Sequence, residues 1–296
     1  MKELTGNEQH VVHSSAGDYW QLLKPRIMYL VVFTSTVGMV IAPGSIHPVI
    51  GLVSALCVAL GSGAAGVLNM WYDSDIDSIM SRTRTRPIPA GRVTQNHALE
   101  CGVTLSVLSV FIMAIAVNYI SSLLLAASIF FYVVVYTMLL KRRTTQNIVI
   151  GGIAGAFPPV IGWTSVMGSI SLESVFLFLI IFLWTPPHFW ALSLLNRDEY
   201  SLARIPMLAV HCIRTTRLHI LIYSSVLFVT SLLVGIYMSE AVLYEIMAVC
   251  LGIVFMSRAL RIYRENGAPT STSCTEMFSF SIYYLFLIFS AIALCH

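Results

Sequence analysis

The chain has 296 residues, of which 57% are hydrophobic and only 10% charged, and its mean hydropathy is +0.82. That apolar content exceeds the roughly 45–50% of soluble domains and excludes a soluble enzyme. The formal net charge of +3 reflects where basic loops fall relative to a membrane and excludes a nucleic-acid-binding role.

Residues 1–25 are polar, carry too short an apolar run for a signal peptide, and read as a loosely ordered cytoplasmic N-terminal tail. Residues 26–296 form one membrane domain. Nine apolar runs lie near 27–43, 49–69, 98–119, 120–140, 148–168, 171–194, 218–238, 240–257 and 277–295, and each approaches the roughly 20 residues that cross a bilayer as a helix. They show no strand-like alternation and exceed the length of barrel strands, so the predicted fold is an all-α, polytopic membrane protein with nine transmembrane helices. With the N-terminus in the cytoplasm, all 17 Lys and Arg fall on that side, from Lys2, Lys24 and Arg26 to Arg258, Arg261 and Arg264. The opposite loops carry only Glu173, Glu240 and Glu245, and His296 ends on the far side, as the positive-inside rule requires. Cys57, Cys101, Cys212, Cys250, Cys274 and Cys295 form no C-x-x-C pair and indicate neither a disulfide framework nor a thiolate metal site.

Lys24-Pro25-Arg26 opens the first run, with proline where a helix start tolerates the missing N–H; Lys24 reads equally as an interfacial anchor. The second run carries Gly61, Ser62, Gly63, Ala64, Ala65 and Gly66, small residues that let helix backbones approach closely in lipid. It leads into Asn69–Arg92, NMWYDSDIDSIMSRTRTRPIPAGR, where three aspartates and four arginines gather in a chain otherwise poor in charge. Asn69, Asp73 and Asp77 are four apart, and each such step advances a helix by only about 40° past a full turn. All three therefore share one face. Carboxylates so placed repel one another unless a cation lies between them, and hard ions such as Mg²⁺ take oxygen ligands and are commonly shared with phosphate. Arg82, Arg84, Arg86 and Arg92 add planar donors suited to phosphate oxygens. For Asp75 or Arg84 alone, a charge marking the wet end of a helix is explanation enough; the N-x3-D-x3-D spacing followed by R-T-R-P asks for more.

At the next basic junction Lys141, Arg142 and Arg143 precede Asn147 and Gly151-Gly152, and Pro158-Pro159 is expected to kink the span that follows. The sixth run ends in WTPPHFWALSLLNRDEYSLAR. Pro186-Pro187 is expected to interrupt the helix ahead of His188, Phe189 and Trp190, and Asp198, Glu199, Tyr200 and Arg204 form a second polar stretch able to face the first across one opening. Trp190 fits an interfacial belt as well as a ligand contact, and His188 fits a hydrogen-bonded structural role as well as a ligand role. Arg214, Arg217, Arg258, Arg261 and Arg264 read mainly as topological. The polar stretches after the second and sixth runs suggest a distant duplication of four-helix units.

N69-x3-D73-x3-D77 followed by R82-T-R-T-R86-P resembles the intramembrane prenyltransferases of the UbiA superfamily. The run from Lys141 to Gly162-Trp163, with P187-H188-F189-W190-A191-L192 and D198-E199-Y200, is similar to its haem-farnesylating branch. The likeness covers nearly the whole chain, from D18-Y-W-Q-L-L-K24-P-R26 to the last span. It implies a nine-helix bundle around a central cavity open to the cytoplasm and to lipid, in a bacterial inner membrane. It implies farnesyl transfer from farnesyl diphosphate to a vinyl group of protohaem IX with Mg²⁺, in company with haem A synthase or a terminal-oxidase assembly partner. Carried over residue by residue, the metal ligands are Asn69, Asp73, Asp77 and Asp198; Arg82, Arg86, Lys141, Arg142 and Arg204 take the diphosphate; His188, Trp190 and Tyr200 lie toward haem. Where many members carry D-x3-D in the second stretch, this chain has Asn196 and Tyr200, which leaves the number of second-site ligands open. Two other readings stand beside this one: a related prenyltransferase acting on a quinone precursor or chlorin, and a transporter with the aspartates as an ion site. Against the transporter, the acids sit at a membrane surface and not at the midplane.

Overall fold

The computed structural model describes residues 14–238, 241–265, 267 and 270–295; Lys2, Glu240, His296 and positions 1–13 of the expected tail lie outside the described residues. A short helix α1 (Ala16–Leu22) is joined through a 56° bend to α2 (Pro25–Val40), which has Pro25 at its first turn. There follow α3 (Pro48–Tyr72), the short α4 (Ser74–Ile79), α5 (Gln95–Ala116), and α6 (Tyr119–Phe130), which continues as a π-helix over Phe131–Leu140. Then come α7 (Asn147–Met167), α8 (Leu172–Leu195), the short α9 (Arg197–Leu202) and α10 (Leu208–His211), α11 (Ile213–Met238), α12 (Val242–Arg264) and α13 (Ser271–Cys295). No strand occurs among the described residues. Eight of these helices, counting α6 with its π extension, are long and apolar enough to cross a bilayer, and the α1–α2 pair makes up to nine. The chain is an integral membrane protein.

Local chemistry sets the ends. His47 accepts the N–H of Val49 ahead of Pro48, Thr94 caps α5, Asn118 caps α6, and Ser171 opens α8 with a capping box, each satisfying donors that a helix start leaves unpaired. Gly168, at φ 64°, closes α7 in the left-handed region that glycine enters without cost.

The long helices form two rings. In the first, α2, α3, α5, α6 and α7 pack in order and α7 closes back on α2; in the second, α8, α11, α12 and α13 do the same, with α13 closing on α8. The rings join through α7 against α8 and α2 against α13. Because consecutive spans alternate in direction, every described Lys and Arg falls at one end of the bundle and Glu173 and Glu245 at the other.

Neither proline pair breaks its helix, contrary to the expectation for Pro186-Pro187: α8 runs unbroken to Leu195. A proline removes one i→i−4 bond, and neighbouring helices can satisfy the carbonyl it frees. In α7 the carbonyl of Ala154, which Pro158 cannot reach, accepts the Ser128 hydroxyl of α6 at 3.0 Å. The α2–α7 crossing is tight enough that a Cβ at Gly162 would collide with the Ser35 carbonyl, and one at Gly38 with that of Pro159.

Gly162→Leu should therefore cost more than the about 1–3 kcal/mol of ordinary overpacking, because backbone and not a flexible side chain stands in the way. Thermal unfolding of the purified protein is the check. Gly155→Ala on the same helix, where the added Cβ meets nothing within 4 Å, should be neutral; equal losses would refute the crossing.

Candidate active site

Backbone bonds carry the helix through the acidic stretch: Asp73 N donates to Asn69 O at 3.0 Å and Asp77 N to Asp73 O at 2.8 Å. The three side chains that sequence spacing placed on one face are thus linked turn by turn, and all are buried, Asp73 at 0% and Asp77 at 3% exposure. Buried carboxylates need compensation, and the turn after the π segment and the loop after α4 supply it. Lys141 Nζ, just past the π segment of α6, stands 2.5 Å from Asp73 Oδ2. Arg86 Nη1 stands 2.6 Å from Asp77 Oδ2. Arg142 grips Asp75 with two bonds of 2.7 and 2.8 Å and lies 5.0 Å over the Tyr72 ring. That guanidinium holds the exposed Asp75 carboxyl below the usual carboxylate range. Asn69 donates to Asp73 Oδ2 and to Thr137 Oγ1, while its oxygen accepts from Lys24 Nζ at 2.7 Å.

Lys24, Thr137, Tyr132 and Tyr136 are participants that sequence reasoning missed or left as anchors. Lys24 sits in the break between α1 and α2 at φ 54°, which swings its side chain onto α3. In a π-helix the backbone bonds run i→i+5: Lys141 N donates to Tyr136 O at 2.8 Å, and the Thr137 hydroxyl adds a side-chain bond to Tyr132 O at 2.8 Å. Thr137 and Lys141 thereby face Asn69 and Asp73 at the end of α3, while the Tyr136 ring packs on Gly151 of α7 and lies 5.5 Å from that of Tyr132.

The two polar stretches meet. The Ser81 hydroxyl donates to Glu199 Oε1, and Ile76 and Met80 share a core cluster with Tyr200, Ile205 and Met207. Of the other expected site residues, Arg82, Arg204 and Asp198 are exposed at the same end, with no ion pair among the described residues. Tyr200 is buried in that core cluster. His188 lies where α8 meets α13: its Nδ1 is 2.6 Å from Ser281 Oγ, and its ring is stacked between Trp184 and Phe278 at 4.4 and 4.6 Å. Trp190 is fully buried with its edge toward His219 and Tyr223 of α11.

Beside the acid face opens an apolar cavity of ≈ 110 Å³ among the helices of the first ring. It begins at Leu23 and Lys24 and is walled by α2, α3, α6 and α7, including Gly61, Gly66, Tyr132 and Gly155.

The donors fit a hard divalent cation. Asp73 Oδ1 and, at the start of α7, Asn147 Oδ1 are buried without a hydrogen bond, and Arg142 Nη2 is 3.5 Å from that Asp73 oxygen. No three Asp, Glu, His or Cys side chains converge among the described residues; Mg²⁺ is commonly bound by one or two carboxylates and completed by phosphate and water.

Comparison with known proteins identifies the family and the fold. Residues 31–289 match the UbiA prenyltransferase family. The chain is 68% identical over 292 residues, 99% of each chain, to the protoheme IX farnesyltransferase of Anaplasma phagocytophilum (strain HZ). The fold is similar to a solved digeranylgeranylglyceryl phosphate synthase, with a TM-score of 0.78 at 16% identity over 94% of this chain and 97% of that one. A UbiA homolog from Archaeoglobus fulgidus bound to GPP and Mg²⁺ superposes with a TM-score of 0.69 at 13% identity, over 93% and 99% of the two chains.

The loop bearing the arginines is clamped to α1 by Arg92, whose Nε is 2.6 Å from Asp18 Oδ1. The Ser15 hydroxyl, then Arg92, bring the Asp18 carboxyl from the ordinary 3.8 to about 2. A depressed carboxylate stabilises above its unfolded pKa and loses that contribution as pH falls through its folded one, so the clamp is complete above about pH 5. Proteolysis near α1 should be flat from pH 5 to 8 in the wild type and several-fold faster in Arg92→Ala; a wild-type rate that changes across that range would contradict the clamp.

Proposed function

The chain belongs to the UbiA prenyltransferase family, and from that premise we propose that it transfers the farnesyl group of farnesyl diphosphate to a vinyl group of protohaem IX, with addition of water, giving haem O. The near-full-length likeness to a farnesyltransferase of that specificity supports donor and acceptor. The observation that carries the chemistry is a buried acid face, paired with Lys141 and Arg86, beside an apolar cavity.

Asp73 and Asp77 would hold Mg²⁺ together with the diphosphate, with Asp198, exposed at the same end of the bundle, as a further candidate ligand. The ion supplies charge neutralisation of the leaving diphosphate. Lys141, Arg86 and Arg142, which pair with the carboxylates in the structure, turn to the diphosphate oxygens as charge develops there. Lys24, bonded to Asn69 at the same end, adds a further donor toward that anion. Arg82 and Arg204 widen the basic rim. Tyr132, at the mouth of the cavity beside Lys24, presents its ring to the allylic cation and shields it by cation–π attraction. The electron-rich vinyl group attacks this cation, and water captures the positive charge left beside the porphyrin. No protein nucleophile is needed. His188, with Nδ1 committed to Ser281, offers only Nε2 to a haem; Trp190 and Tyr200 back the wall that haem meets. The basic end of the bundle faces the cytoplasm of a bacterial inner membrane, and the C-terminus lies on the opposite side.

The test is to express the protein in membranes and identify the extracted haem by chromatography and mass. Haem O should appear with the wild type, and Asp73→Ala and Asp77→Ala should each lose about 10²-fold or more in turnover, the scale of removing one preorganised charge-stabilising group, while remaining folded. Asp75→Ala, whose carboxylate orients Arg142 from the exposed side, should lose less. Equal losses from all three would contradict the assignment. In a second measurement, His188→Ala should weaken or shift the haem absorption while leaving diphosphate binding unchanged; an unchanged haem spectrum would return His188 to a packing role.

A further inference from the structure

The cavity has a direction. α2 and α7 run from the basic end of the bundle to the other, and α3 and α6 run back, so Lys24, Gly66 and Tyr132 lie at its mouth and Val58, Leu125 and Ile161 at its depth. These three come from three helices, are exposed by only 1%, 3% and 1%, and belong to one apolar cluster. One turn deeper on each helix stands a serine: Ser54 precedes Val58 by four, Ser121 precedes Leu125 by four, and Ser165 follows Ile161 by four. Ser54 Oγ and Ser165 Oγ are 2.7 Å apart, Ser165 donates to Ser121 at 3.4 Å, and Ser121 meets Thr164 at 2.8 Å. Hydroxyls bonded across helices in an apolar medium hold those helices in register. The end of the cavity is therefore pinned by a polar cluster directly beneath it.

We infer that Val58, Leu125 and Ile161, held at fixed depth by this hydroxyl cluster, form an end stop that selects the length of the prenyl chain. The inference rests on the prenyl-transfer reading above and adds which residues set the donor's length. From Gly66, whose added Cβ would touch Lys24, to Val58 is eight residues, about 12 Å of helix at 1.5 Å per residue. A farnesyl chain, twelve carbons along its backbone, is about 14 Å when extended at ordinary C–C bond lengths, and one isoprene unit more adds about 5 Å. A tail entering from the mouth thus reaches the stop with its third unit, and a fourth has no room. Gly155 supplies the complementary control: it lines the cavity, its φ is ordinary, and an added side chain there meets open space.

The experiment measures kcat/KM for geranyl, farnesyl and geranylgeranyl diphosphates with protohaem, using full-length protein in bilayer nanodiscs. Ile161→Ala and the double variant Leu125→Ala/Ile161→Ala should raise the geranylgeranyl-to-farnesyl ratio at least about tenfold, on the scale that hydrophobic pockets discriminate chain units. Gly155→Leu, which trims nothing and so guards against misfolding of the alanine variants, should lower the farnesyl-to-geranyl ratio by a similar factor. Ratios unchanged in all three variants, with farnesyl transfer by the wild type intact, would overturn the end stop alone and leave the cavity to a lipid acyl chain. A wild type that converts none of the three donors would overturn the prenyl-transfer reading and this inference with it.

Discussion

Two carboxylates taken out of water set the terms for everything around them. Asp73 and Asp77 are almost wholly buried at one end of a membrane bundle, where the hydration they forgo is worth several kcal/mol per ion. Helices that would otherwise have no reason to converge bring cations to them: α6 ends at Lys141, the loop after α4 turns back with Arg86, and the break between α1 and α2 delivers Lys24 to Asn69. Such pairing is weak support for stability, since apolar residues of like volume are often as good. It makes sense as a charge-balanced resting state, in which a metal and a diphosphate replace cation–carboxylate pairs with others of equal charge and leave no ion uncompensated.

The acid face was readable from sequence because it depends on one period, and 3.6 residues per turn survives the change from α3 to α4 with its hydrogen bonds intact. The membrane class and the sorting of basic loops were readable for a similar reason: both follow from composition summed over long runs. Loops have no period. Nothing in R-T-R-T-R distinguishes Arg86, which pairs with Asp77, from Arg82 and Arg84, which are exposed. Lys24 looked like an anchor because its role depends on a left-handed backbone at a helix break. The π segment of α6 has no local sequence sign either, since β-branched and aromatic residues such as Val133, Val134 and Tyr136 suit an α-helix in lipid as well; its i→i+5 turn shows only in the backbone, where Lys141 N reaches Tyr136 O. The Pro186-Pro187 pair misled in the opposite direction, because a rule learned from soluble helices weakens where packed neighbours satisfy freed carbonyls.

The two-ring plan explains how one end of the bundle can be polar while the interior beside it stays dry. Gly38 of α2 and Gly162 of α7 draw the first ring tight at its far end, whereas nearer the acids Lys24, Gly61, Gly66 and Tyr132 line the cavity. An acid face and an apolar cavity thereby lie side by side, and the second ring meets the acid end through Ser81, Glu199 and the Tyr200 cluster.

The central claim is that metal and diphosphate together displace the cations from the acid face. Calorimetric binding of a non-hydrolysable farnesyl thiodiphosphate to the purified protein, with Mg²⁺ and then with chelator, tests it most directly. Binding should weaken by at least about tenfold, or about 1.4 kcal/mol, when the metal is removed, because the basic residues alone remain engaged by Asp73, Asp75 and Asp77. Binding that is equally tight without the metal would contradict the account.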